Sequence, residues 1–247
     1  MAKKYRQDND LEFFKLADNE MLGVLVKYLT EDKDGERRVT EQLTNKEAFK
    51  QCNDDYHQVW QLIATELQCF GGDTLVNVFR GGGVSYKEIL TDVCDRLSVK
   101  YDSQQPTLEI EDLLLQKFFK DSWESMSDED RNETLGILDV DSSMSQSSAF
   151  EYIYQNLGKQ GYLTYQVALL VAAAFAQNMI GRSAALGVTQ FVAGRTASVF
   201  FGPVGIILAG FASLPLISGP AYRVTVPAVV QIAAMRKQLL SKEEGFF

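Results

Sequence analysis

One histidine and three cysteines in 247 residues leave little material for several kinds of chemistry. A serine– or cysteine–histidine pair would have to use His57, because no other imidazole exists. Nothing in the sequence supplies a third group to orient that ring, and it reads as a partly exposed helical side chain beside Val59 and Trp60. Cys52, Cys69 and Cys94 are too few and odd in number for a disulfide framework, which favours a reducing compartment. Their spacing with His57 matches no pair-plus-pair zinc pattern. The opening MAKKYRQDND lacks the apolar run of a secretory signal, so the expected location is the cytoplasm. Asp139 and Asp141 suggest the start of a calcium loop, but Ser143 and Met144 fall at the third ligand and glycine places and Glu151 comes one residue late. No paired carboxylates with a catalytic role can be assembled, and no metal or cofactor is expected. The chain reads as a non-enzyme.

A second scarcity is regional. Residues 1–155 hold 31 acidic and 17 basic side chains, a balance of −14, whereas residues 156–235 hold no acid at all. The only charges in that stretch are Lys159, Arg182, Arg195 and Arg223, and the longest uncharged runs between them are 160–181 and 196–222. Nine of the 18 glycines and four of the five prolines, Pro203, Pro215, Pro220 and Pro227, lie there too. With a formal net charge of −9 the chain is a poor non-specific ligand for nucleic acid. The polar string DVDSSMSQSS (139–148) marks a boundary. An acidic helical domain over 1–140, a polar linker over 141–148 and an apolar Gly/Pro-rich helical region over 149–247 are the expected units.

Ahead of that boundary, apolar residues recur at helical spacing. Asp18 is placed to cap a helix with Leu22, Leu25, Val26 and Leu29 on one stripe. Val59, Leu62, Ile63, Leu67 and Phe70 repeat the pattern before Gly71-Gly72. Ser85 with Glu88, three positions on, is a capping-box signature for a helix bearing Ile89, Val93 and Leu97. Ile110, Leu113, Leu114 and Phe118 define a further helix, and Ser127 with Asp130 opens another. Hairpin dipeptides and β-branched alternation are missing. The predicted class is all-α: a bundle of short amphipathic helices with a C-terminal glycine-rich hydrophobic hairpin region.

Between two of those helices, GGDTLVNVFRGGG (71–83) places Asp73 and Arg80 beside glycines and a short helix N-terminus, the best candidates for an anion site. The lysine and Ser/Thr of a phosphate-binding loop are absent, and turn glycines framing a short helix are the simpler reading.

The string VWQLIATELQCFGGDTLVNVFRGGGVSYKEILTDVCDRL (59–97) strongly resembles the YaaW-like family of small bacterial proteins. DNDLEFFKLADNEMLGVLVKYLT (8–30) is similar to the helical segment that opens its members, TLEIEDLLLQKFF (107–119) to their middle helix, and SGPAYRVTVPAVVQIAAMR (218–236) to their C-terminal signature. GPVG (202–205) matches the glycine-rich part of the family's hydrophobic region. The resemblance implies a bacterial intracellular origin and transfers no activity or site residue. A distant grouping with ubiquinol–cytochrome c assembly chaperones is attached to the family.

Two readings of the uncharged region remain open. At helical rise its 27-residue run 196–222 exceeds the roughly 20 residues needed to cross a hydrocarbon core, although its glycines and prolines favour a hairpin or a broken helix over one rod. In the first reading it contacts a membrane lipid or membrane protein, through Leu169, Leu170, Phe175, Phe200, Phe201, Ile206, Ile207 and Leu208, with the chain peripheral or partly inserted at the inner membrane. In the second it is the internal core of a protein-interaction or assembly factor.

Overall fold

A computed structural model describes residues 5–32, 34–39, 41–71, 83–159, 161–179 and 221–245, the side chains of Gly71 and of residues 177–179 excepted. Asp73, Arg80, Phe200, Phe201, Ile206, Ile207 and Leu208 therefore lie outside the described residues. The elements are helices throughout: α1 (Asn19–Thr30), α2 (Glu47–Gln51), α3 (Trp60–Gly71), α4 (Tyr86–Arg96), α5 (Thr107–Ser125), α6 (Asp128–Ile137), α7 (Gln146–Asn156), α8 (Tyr162–Met179) and α9 (Tyr222–Glu243). Short 3-10 turns over Glu12–Lys15, Leu43–Asn45 and Tyr56–Val59 join the early ones. Two isolated bridges, Glu31 with Arg37 and Leu157 with Lys159, are the extended pairings among the described residues. The chain is all-α.

The helix starts follow from the capping chemistry. Asp18 accepts the amides of Glu20 (2.9 Å) and Met21 (3.3 Å), satisfying two donors that the first turn of α1 leaves free. Ser85 and Glu88 form the reciprocal capping box at α4, as Ser127 and Asp130 do at α6. Ser145 accepts the Ser148 amide at the head of α7. Asp139, in the left-handed region at φ +56°, ends the α6 turn, and Asp141 accepts the Ser143 amide at 2.8 Å, so the DVDSS string is a turn built from its own side chains.

The amphipathic helices bury the stripes their spacing defines. Leu22, Leu25 and Leu29 of α1, Ile63 and Leu67 of α3, and Leu90 and Val93 of α4 are fully enclosed, as are Ile110 and Leu114 of α5. Two helices of a different kind pack against them, α8 on α5 and α7, and α9 on α1, α3, α4 and α5. Every residue from 164 to 176 in α8 and from 224 to 235 in α9 is buried, more than three turns of each, so no face of either is left to solvent. Their mutual contact is the largest between described helices, and α9 also touches α1, α3, α4 and α5. The carboxylate-free stretches thus form the axis of the bundle, and one core cluster continues from Leu11 to Met235 across the boundary at 141–148.

The last glycine of the GGG run has a specific steric cause. A Cβ on Gly83 would stand 2.5 Å from the Gln68 carbonyl carbon, because the strand of chain entering α4 crosses the end of α3 and Val84 donates to Gln68 O at 3.1 Å.

Candidate functional site

Where α5 crosses the C-terminal half of α9, four charged side chains meet inside the protein. Glu111 is fully buried, and Arg236 grips both its oxygens, Nε lying 3.2 Å from Oε1 and 3.0 Å from Oε2. Tyr86 of α4 donates its hydroxyl to Oε1 at 2.7 Å. One residue along, Asp112 pairs with Lys237 at 2.5 Å; both are almost wholly enclosed, and the two contacting atoms have no other hydrogen-bond partner. The Arg236 guanidinium also donates to the Asp10 carbonyl at 2.8 Å and lies 4.4 Å from the Phe13 ring centroid.

The N-terminal segment completes this node. Asp8 accepts the buried Tyr86 amide at 2.6 Å, and Asp10 accepts the Thr107 hydroxyl at 2.7 Å, so two carboxylates of one segment sit at the starts of α4 and α5, where helix dipoles favour negative charge. Gln68 binds the Arg6 backbone from both amide atoms, at 3.1 and 2.9 Å. Leu11 and Phe14 are fully buried beneath these contacts.

Burial dominates the electrostatics. It pushes the Glu111 carboxyl above the ordinary carboxylate range although Arg236, Tyr86 and Lys237 pull the other way, and it does the same to Asp112 against Lys237. The Tyr86 hydroxyl is driven well up by burial and by Glu111. Burial opposes the Arg236 charge, but Glu111, Tyr86 and Asp10 outweigh it and hold that guanidinium above its usual value. Glu111, Arg236 and Tyr86 satisfy one another, and the Asp112–Lys237 pair lies enclosed beside them. The arrangement registers α5, α9, α4 and the N-terminal segment against each other.

The residues singled out from sequence are placed differently. His57 is anchored by an Nε2 contact of 2.6 Å to the Ala17 carbonyl and stands 3.6 Å from Asp55, a helix-to-loop tie. Cys52 and Cys94 are buried free thiols, and burial with the nearby Asp95 pushes Cys94 up to about 12. No group of three or more His, Cys, Asp or Glu side chains suited to a metal occurs among the described residues. Leu169, Leu170 and Phe175, expected at lipid, are 0%, 4% and 2% exposed, and the Phe175 ring packs edge-on against Phe118 at 5.1 Å. No helix among the described residues is long and apolar enough to cross a membrane.

The Glu111–Arg236 node was missed by periodicity. Its signal is legible once sought: an acid pair adjoining the apolar stripe of α5, and a basic pair directly after twelve uncharged residues.

The N-terminal segment and α1 carry a further mark. Residues 5–39 match the model of a domain of unknown function, DUF3944. Along nearly its whole length the chain is 40% identical, over 236 residues, to a UPF0174 protein of Helicobacter pylori, covering 94% of this chain and 92% of the relative. It belongs to the UPF0174 family. The UPF0174 protein YaaW of Escherichia coli is 35% identical over 242 residues, covering 97% and 98% of the two chains. A further Helicobacter pylori UPF0174 protein is 37% identical over 211 residues and is covered entirely, with 83% of this chain. No solved structure matches. In this UPF0174 chain the family segment at 5–39 contributes Asp8, Asp10 and Phe13 to the buried node, so the matched domain is built into the bundle.

Proposed function

We propose that this UPF0174 chain is a non-enzymatic helical protein of the bacterial cytoplasm that associates with membrane through the carboxylate-free sequence between α8 and α9. The observation that carries the reading is the placement of those two helices. Both are enclosed by protein, and between them the sequence has no carboxylate and includes the 27-residue uncharged run 196–222. The buried helices supply a rigid frame, and Phe200, Phe201, Ile206, Ile207 and Leu208 are the side chains proposed to meet lipid. Leu169, Leu170 and Phe175 belong to the frame.

Flotation of the full chain with phospholipid vesicles tests this. The native protein is expected to rise with the lipid, and an F201D/I207D variant to stay behind, since a carboxylate within a hydrocarbon layer costs about 2.5–3.5 kcal/mol on insertion scales. A native chain that ignores vesicles of every composition overturns the proposal in favour of a second reading. That reading, an interaction or assembly factor with an apolar internal core, is favoured by the burial of Leu169, Leu170 and Phe175.

A further inference from the structure

The N-terminal segment is gripped the way a receptor grips a peptide. The four side chains or amides that hold it come from four helices: Gln68 near the end of α3, Tyr86 and Thr107 at the starts of α4 and α5, and Arg236 on α9. Two of them read main chain. The Gln68 carboxamide, fully buried, accepts the Arg6 amide at 3.1 Å and donates to the Arg6 carbonyl at 2.9 Å, the pairing a neighbouring strand would make. Arg236 donates to the Asp10 carbonyl at 2.8 Å. The other two read side chains, Asp8 taking the Tyr86 amide at 2.6 Å and Asp10 the Thr107 hydroxyl at 2.7 Å. Leu11 and Phe14 fill closed apolar seats, and the Arg236 guanidinium lies over the Phe13 ring.

The segment is shaped for these contacts by its own turn. Asp8 accepts the Asp10 amide on Oδ1 at 3.1 Å and the Leu11 amide on its carbonyl at 3.1 Å, which turns Oδ2 towards Tyr86. The string Asp-x-Asp-Leu-x-Phe-Phe over 8–14 thus carries its anchors preorganised. Its tie to α1 is slight by comparison. Lys15 and Leu16 are exposed, Leu16 at 63%, and the amides of Leu16 and Ala17 on the Phe13 carbonyl bridge this point. An identical segment from a second copy makes the same contacts, so exchange gives up only the high local concentration that the short link provides. A vacant receptor, by contrast, wets the seats of Leu11 and Phe14 and strips the Gln68 carboxamide of both partners.

We propose that Gln68, Tyr86, Thr107 and Arg236 form a peptide-binding site selective for Asp-x-Asp-Leu-x-Phe-Phe, filled by residues 8–14 of the same chain or, by exchange within a dimer, of a second copy. The site is independent of the membrane reading.

A fluorescent peptide with the sequence of residues 5–17, added to the full-length chain and followed by anisotropy, tests the site. The native chain is expected to bind it weakly, because its own segment competes at an effective concentration of about a millimolar. D8A/D10A weakens that competitor and should take the peptide about tenfold more tightly, with its lowered urea midpoint partly restored by the peptide. D10N, which keeps the Asp8 contact, is expected to change in the same direction and serves if the double variant does not fold. A peptide carrying both alanines should bind neither chain. Equal peptide affinity in the native chain and a folded variant, or equal binding of the two peptides, overturns the site. Sedimentation of the native chain up to about a millimolar tests the second copy. A dimer that free peptide dissolves is expected, and a chain that takes the peptide yet stays monomeric throughout overturns exchange between copies.

Discussion

Glu111 and Arg236 show how much one buried contact can decide. A carboxylate with no exposure is tolerated because the Tyr86 hydroxyl and the Arg236 Nε–H, the latter shared between both oxygens, converge on it. Removing one partner strands the other's charge. E111A is therefore expected to lose about 3–5 kcal/mol of stability in urea denaturation, whereas the E111L/R236L pair, which removes both charges and fills the space, should recover most of that loss. The proton balance gives a second handle. The folded protein holds protons on Glu111 and Asp112 above the ordinary carboxylate range, while the unfolded chain has already released them, so stability falls as pH rises through the raised values. E111Q/D112N should flatten that decline in the urea midpoint. Glu41 and Glu88 act with the opposite sign. Burial raises both, but hydrogen bonds from Thr44 and Arg37 to Glu41, and from Ser85 and Arg6 to Glu88, win and lower them; the stability they add is present above the ordinary carboxylate value and is lost as pH falls through their folded values.

At the scale of elements, local chemistry sets where helices begin and steric contact sets how closely they pass. S85A and S127A each remove one half of a capping box and are expected to lower the unfolding free energy by about 1 kcal/mol apiece in urea denaturation, additively, since the two caps serve different helices. G83A is a different kind of change, because the methyl group meets backbone, and the crossing of the α4 entry over the end of α3 has to open. It is expected to cost more than either cap variant and to weaken the neighbouring Val84–Gln68 bond, seen as faster hydrogen exchange at the Val84 amide. The caps at Asp18, Ser85 and Ser127 were readable because a cap depends on residues within a few positions of each other. The need for glycine at 83 was not, since the atom it must avoid belongs to a residue fifteen positions away.

For the whole molecule, the charge asymmetry along the chain becomes a radial one. Acidic amphipathic helices pack outside, and the uncharged stretches 164–176 of α8 and 224–235 of α9 lie within, as the hydrophobic effect requires of segments without charge. Hydrogen exchange is expected to find the amides of 165–176 and 226–235 the slowest in the protein. F175A should cost about 3–5 kcal/mol, because it opens a cavity beside Phe118 that the packed axis cannot close. Native-like stability of F175A would show that α8 is not the axis.

The sequence by itself determined the class, the helix starts, the amphipathic faces and the family, because each depends on periodicity or on groups near one another along the chain. Only the tertiary structure decided that Leu169, Leu170 and Phe175 face protein, that residues 8–14 close over α4, α5 and α9, and that Glu111 finds Arg236 across 125 positions. An apolar stretch carries the same pattern whether its neighbour is lipid or another helix. Which of the two surrounds it is a property of the packed chain, where the cost of burying each charge is settled by the partner that arrives beside it.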